Sequence, residues 1–80
     1  MELQIITPKQ FRSVLVEWAE FTTPKGNMVV QPNHTPLVAS IIPNSRFTFA
    51  HKDGTTESIM VHIGIVEVTK TAVHLLMHEE

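Results

Sequence analysis

The sequence predicts an all-β fold, a small β-sandwich or flattened barrel of about eight to ten short strands, built as a single domain over residues 1–80. Three observations carry this expectation. Val, Ile and Thr number 9, 7 and 9, against 5 Leu and 4 Ala. β-Branched side chains lose rotamer freedom against a helical turn but pack well on a pleated surface. Pro8, Pro24, Pro32, Pro36 and Pro43 punctuate the first half, and from Pro24 to Pro43 they stand so closely that no three-turn helix fits between them. Turn signals then recur along the chain at about 8–12-residue spacing, as in small sandwiches.

The elements follow in order. Residues 3–7 are a short apolar run ended by Pro8. Residues 14–22 form the second run, with Val14, Val16 and Trp18 on one face at period two. A turn at 23–27 precedes a strand at 28–31, and a stiffer turn at 32–36, held between two prolines, precedes a strand at 37–42. Residues 43–45 turn into 46–50, where Phe47 and Phe49 share a face. Asp53-Gly54 then fits a two-residue type I′ hairpin, which needs φ > 0 at both central residues, and residues 55–61 return along it. Residues 63–68 and 72–77 pair across the turn at 69–71. Gly64, inside an apolar strand, predicts a bulge or a close backbone approach.

Composition narrows the function. Hydrophobic residues are 42% and charged residues 18%, the balance of a globular chain rather than a disordered one. The chain has no Cys, so neither disulfides nor thiolate metal sites are available. A net charge of −2 speaks against nucleic-acid binding, which depends on neutralising phosphates. No run approaches the ~18 apolar residues of a membrane span, and the opening residues do not read as a signal peptide. A soluble domain is expected.

The side chains that could carry chemistry have simpler readings. His74 and His78 are spaced i, i+4, which would gather two imidazoles on a helix. On a strand that spacing separates them by roughly 13 Å, too far for one metal ion. His34 lies in the proline-bounded turn with no acidic residue between Glu20 and Asp53 to orient it; a ring bonded to neighbouring backbone suffices. Glu17 and Glu20 fall on opposite faces of an uninterrupted strand and make a poor acid/base pair. Gly26, Gly54 and Gly64 are too dispersed for a phosphate loop. No catalytic, cofactor-binding or metal residue is expected. Residues 28–30 and 35–40 are weakly polar: either alternate residues fill the core, or part of this apolar surface stays outside as a contact patch.

Residues 26–38 carry a family resemblance. Gly26, Met28, Val30, Pro32, His34, Pro36 and Leu37 match the pattern G-x-[LM]-G-[IV]-x-P-G-H-x-P-[LF], and the segment resembles the hallmark of ATP synthase epsilon subunits, called delta in mitochondria. Residues 3–8 and 14–21 are similar to the opening strands of that family, and residues 62–68 to its G-G-[IF]-x-E-V run. The likeness is collinear over essentially the whole chain. Val29, Asn33, Asn44 and His62 stand where the family commonly has Gly. Asn tolerates the left-handed region, whereas Val29 must then be extended. Asn27 takes a place that is often acidic in relatives.

The resemblance implies a non-catalytic central-stalk subunit of an F-type ATP synthase, at the inner face of an energy-transducing membrane and not inserted in it. It would link the gamma subunit to the c-ring and so couple ion transport to ATP synthesis, with no cofactor. Thr7, Asn33, His34, Thr35, Leu37, Ala39 and Ser40 are the implied gamma contacts, with Thr7 near the proline-bounded loop. Lys25, Gly26, Asn27 and Met28 are the implied c-ring contacts. His34→Ala or Leu37→Asp is expected to weaken gamma binding while leaving the domain folded. Family members usually append a helical hairpin; a sequence ending after its last strand is expected to lack helix-mediated inhibition and nucleotide sensing. Alone, such a domain is expected to self-associate weakly. A free-standing adaptor of the same fold, binding another protein or itself, is the alternative.

Overall fold

The computed structural model describes residues 1–78 and forms eight strands from them: β1 (Glu2–Ile6), β2 (Phe11–Thr23), β3 (Gly26–Val30), β4 (Leu37–Ile41), β5 (Ser45–His51), β6 (Thr56–Val61), β7 (Ile63–Val68) and β8 (Ala72–His78). The expected all-β class holds, and each strand lies within a few residues of its predicted place. The hydrogen-bonded order is β4-β7-β8-β1-β2-β5-β6, with β3 also on β2. All pairs are antiparallel except β1 with β8.

β2 belongs to both layers. Its first half pairs with β1, and its second half with β3 and β5. The register slips between Val16, opposite His51, and Trp18, opposite Ala50, leaving Glu17 as the extra residue of a bulge. A bulge bends its strand and adds twist, and here it turns one 13-residue strand through the corner between two layers. It also resets the alternation. Val16 is buried before the slip, and Ala19, Phe21 and Thr23 after it. The expected common face of Val14, Val16 and Trp18 is therefore broken: Trp18 lies on the outer side of the second layer. For the same reason Glu17 and Glu20 both face outward rather than on opposite sides, with Glu20 accepting a 2.8 Å hydrogen bond from the Asn27 amide.

The interior is filled by Phe21, Phe47 and Phe49 together with Leu3, Leu75 and a set of valines. The Phe21 and Phe47 rings stack at 5.5 Å, and Phe49 lies 6.3 Å from Phe47. Phe47 and Phe49 share the inward face of β5, as their spacing predicts. Gly64 marks a close approach and not a bulge, since its register with β4 and β8 is regular. A Cβ there would sit 2.8 Å from the Val61 side chain and 3.2 Å from the Leu76 carbonyl oxygen.

Two turns differ from expectation. At 51–55 only Gly54 has positive φ (92°), so the turn is not type I′. His51 and Thr55 bond across a three-residue loop, with the Gly54 N–H donating to the His51 carbonyl at 3.0 Å; this is the longer hairpin with a left-handed glycine at its third position. Asp53 accepts hydrogen bonds from the Thr55 N–H and hydroxyl at 2.9 and 2.7 Å, and these bonds, the hydroxyl's foremost, hold its carboxyl below the usual range. The turn between β2 and β3 is tighter than expected, because Gly26 already pairs with Thr23 and leaves Pro24 and Lys25 to reverse the chain. Asn33 (φ 67°) and Asn44 (φ 59°) do occupy the left-handed region, while Val29 lies in β3 opposite Glu20. Asn44 also bonds His62, side chain to ring at 2.7 Å.

Candidate functional site

In β7 and β8 apolar side chains point both ways. Val66, Val68, Val73 and Leu75 fill the core, while Ile63, Ile65 and Leu76 face out. Strands that are apolar on both faces are covered on both faces, yet here one face has no layer over it. The registers extend this face across five neighbouring strands: Ser40, Ile65, Leu76, Ile6 and Phe11 form one row. At ~4.8 Å per strand the row is roughly 19 Å long. Two residues along, Val38, Glu67, His74, Gln4 and Ser13 form the next row, and Leu15 extends the face on β2. Of the eight large hydrophobic side chains exposed among the described residues, this face holds six: Phe11, Leu15, Val38, Ile63, Ile65 and Leu76. Val38 is 70% and Phe11 63% exposed. A shallow hollow of about 390 Å³ lies at one end of the face, bounded by Thr7, Ile6, Ile63, Ile65 and Leu76. Contiguous exposed apolar surface of this kind is a feature that interaction sites present.

The expected contact residues map onto this geometry unevenly. Ser40 ends the apolar row and Thr7 rims the hollow at the other side, so both border the face. Thr7 does not lie near the proline-bounded loop as expected: Asn33 bonds Lys70 beyond the opposite ends of β7 and β8. Asn33 and Thr35 are exposed and His34 is half-buried, with His34 Nδ1 2.7 Å from the Thr35 carbonyl oxygen. Leu37 and Ala39 point inward and pack on the core. The outward residue between them is Val38, which sequence reasoning passed over. Leu37→Asp would therefore strike the core, and Val38 is the position to change when testing the surface. The weakly polar stretches at 28–30 and 35–40 divide by face: Val30 is buried and Met28 packs on the core, while Val29 and Val38 stay outside. Lys25, Gly26 and Asn27 are exposed at the β2–β3 turn. A groove with Lys25 and Met28 on one wall and Leu37–Ser40 on the other makes the two expected contact sets neighbours.

The residues missed were Ile6, Phe11, Leu15, Val38, Ile63, Ile65 and Leu76. For Ile63, Ile65 and Leu76 the signal was present in the unbroken apolar runs at 63–66 and 75–77, which lack the polar alternation of a strand with one wet face.

Away from this face a charged cluster joins the layers. Arg12, from the first half of β2, makes a bidentate pair with Glu57 of β6 at 2.5 and 2.7 Å, and His51 of β5 reaches Glu57 at 3.0 Å. The Arg12 guanidinium also lies 5.7 Å from the Phe49 ring centroid. The Arg12 hydrogen bonds hold the Glu57 carboxyl at about 2, below its ordinary 4.5. A carboxyl with depressed folded pKa stabilises the fold above its unfolded pKa and loses that contribution as pH falls toward the folded value. The pair is partly exposed, so solvent screening leaves about 1 kcal/mol. Glu57→Gln is expected to remove that part of the stability loss between pH 4.5 and 2, read from urea melts across this range.

Among the described residues no three His, Asp or Glu converge on a metal site. His74 and His78 lie along one strand, with His74 Nδ1 3.1 Å from Glu67 Oε1. No helix among the described residues is long and apolar enough to cross a membrane.

Comparison with known proteins gives a family match and structural neighbours. The model of the family described as ATP synthase, Delta/Epsilon chain, beta-sandwich domain matches residues 1–79. A chain of the Euglena gracilis mitochondrial ATP synthase, in a cryo-EM structure of its OSCP/F1/c-ring, superposes with TM-score 0.86 at 18% identity, over 94% of this chain and 48% of that one. A chain of the Tetrahymena thermophila mitochondrial ATP synthase central stalk/c-ring superposes with TM-score 0.80 at 13% identity, over 99% of this chain and 63% of that one. At these identities the likeness is one of fold, and this chain spans about half to two thirds of its neighbours' lengths.

Proposed function

The chain belongs to the delta/epsilon chain family of ATP synthases through its beta-sandwich domain, and from that premise we propose that it is a non-catalytic rotor subunit holding the gamma subunit against the c-ring. In this role it transmits torque between ion transport and ATP synthesis and makes or breaks no bond. The observation that carries the reading is the uncovered apolar face of β4, β7, β8, β1 and the start of β2, six large side chains strong. A rotating shaft needs a broad, stiff seat. Close packing of the three phenylalanines and their valine neighbours supplies the stiffness.

Gamma docks on this face, with Val38, Ser40, Ile65, Leu76 and Thr7 beneath it and Leu37 and Ala39 supporting from inside. Asn33, His34 and Thr35 meet it at the loop end, where proline-restricted backbone limits the entropy lost on docking. The exposed Lys25-Gly26-Asn27 turn, with Met28 behind it, meets polar loops of the c-ring. The domain thus works peripherally, at the inner face of an energy-transducing membrane. Co-expression with the gamma subunit of the same organism tests the reading: the two are expected to elute together through affinity and size-exclusion steps. Quantitative separation of the two folded proteins would refute it.

A further inference from the structure

The apolar row says that something docks; the row beside it says what that partner must carry. Glu67 stands near the middle of the face, between Val38 and His74 in the cross-strand register. Its side chain is 52% exposed. Among the outward positions of β4, β7, β8, β1 and the first half of β2 the charged or titratable residues are Glu2, Glu67, His74 and His78, with no Lys or Arg. Glu2 is already bonded by the Ser13 hydroxyl at 2.6 Å. His74 Nδ1 lies 3.1 Å from Glu67 at Oε1 alone.

A partner seated on the apolar row, ~7 Å away, would take Glu67 out of water. A carboxylate buried without a cation costs several kcal/mol. The geometry points to a partner surface of one kind: an apolar stripe that lies along Ser40, Ile65, Leu76 and Ile6, flanked on one side by a Lys or Arg that pairs with Glu67. The row of aliphatic side chains fixes no register by itself, since it is similar at every step. The acid at one point of its border does, so Glu67 sets where along the face the partner comes to rest. This inference rests on the docking role assigned above to the same face, and it adds the partner's charge.

The test uses the purified domain and its gamma subunit, with association rate and Kd measured in salt between about 0.01 and 0.15 M, over which the screening length falls from about 30 to 8 Å. Two variants are compared, Glu67→Gln and Leu76→Asp, with thermal melts to show that each is folded. Glu67→Gln is expected to raise Kd roughly 30-fold or more and to flatten the decline of the association rate with salt. Unchanged Kd and salt slope in Glu67→Gln, with binding abolished by Leu76→Asp, would overturn the paired cation and leave the docking face standing. A raised Kd with an unchanged salt slope would overturn it too, since Glu67 would then act only within its own chain. Normal binding by Leu76→Asp would remove the face and this inference together.

Discussion

Phe47→Ala is expected to cost about 3–5 kcal/mol and to leave the domain without a well-populated native state at moderate urea. Phe47 is fully buried, and its ring stacks on Phe21 at 5.5 Å with an interplanar angle of 4°. Truncation removes its transfer free energy, leaves a cavity between the layers and forfeits the aromatic contact. A domain of 80 residues has roughly 4–12 kcal/mol of stability to lose, at ~0.05–0.15 kcal/mol per residue. With a urea m-value of about 1 kcal/mol per molar for so small a chain, the midpoint should fall by about 3 M or more. Fluorescence of Trp18, the single tryptophan, reports the transition. Val29→Ala, on the outside of β3, serves as the reference and should stay within about 0.5 kcal/mol. A loss under 1 kcal/mol for Phe47→Ala would mean the two layers are not closely packed about this ring.

Leu76→Asp should abolish gamma binding while sparing the fold. Leu76 is the middle of the apolar row, between Ile65 and Ile6, and about half of its surface is open to water. In the free domain an exposed strand substitution costs at most about 1 kcal/mol. In the complex it places a carboxylate where well-packed central residues each contribute about 2–4 kcal/mol, so Kd should rise at least ~30-fold. Co-purification and a thermal melt separate the two effects. His34→Ala, at the loop end of the seat, should weaken binding less. Retention of gamma by Leu76→Asp at wild-type level would place the shaft elsewhere on the molecule.

The strands were legible because their signals are local. β-Branched content, prolines at the turns and apolar runs between them mark β1 to β8, and the left-handed asparagines at 33 and 44 follow from the same local chemistry. Where the reading failed, a longer-range cause intervened. Trp18 looked inward because period-two counting assumes an unbroken ladder, and the slip at Glu17 is decided by β2's need to serve two layers. Asp53-Gly54 looked like a two-residue turn, but hydrogen bonding between His51 and Thr55 makes the loop three residues long.

The candidate site divides the same way. The matches at 26–38 drew attention to the segment that lies across β3 and β4, yet Leu37 and Ala39 proved to be supports and Val38 the surface. The face itself is a juxtaposition. Ser40, Ile65, Leu76, Ile6 and Phe11 are scattered from position 6 to position 76, and they become one row only through four strand registers.

By itself, then, the amino-acid order determined an all-β chain, the places of its turns and its family, because propensity, proline geometry and motif spacing act within a few residues. Tertiary structure alone decided which side of each apolar strand faces water and which distant side chains stand together. That choice depends on register and layering, and both are set by hydrogen bonds and packing between residues far apart in the chain.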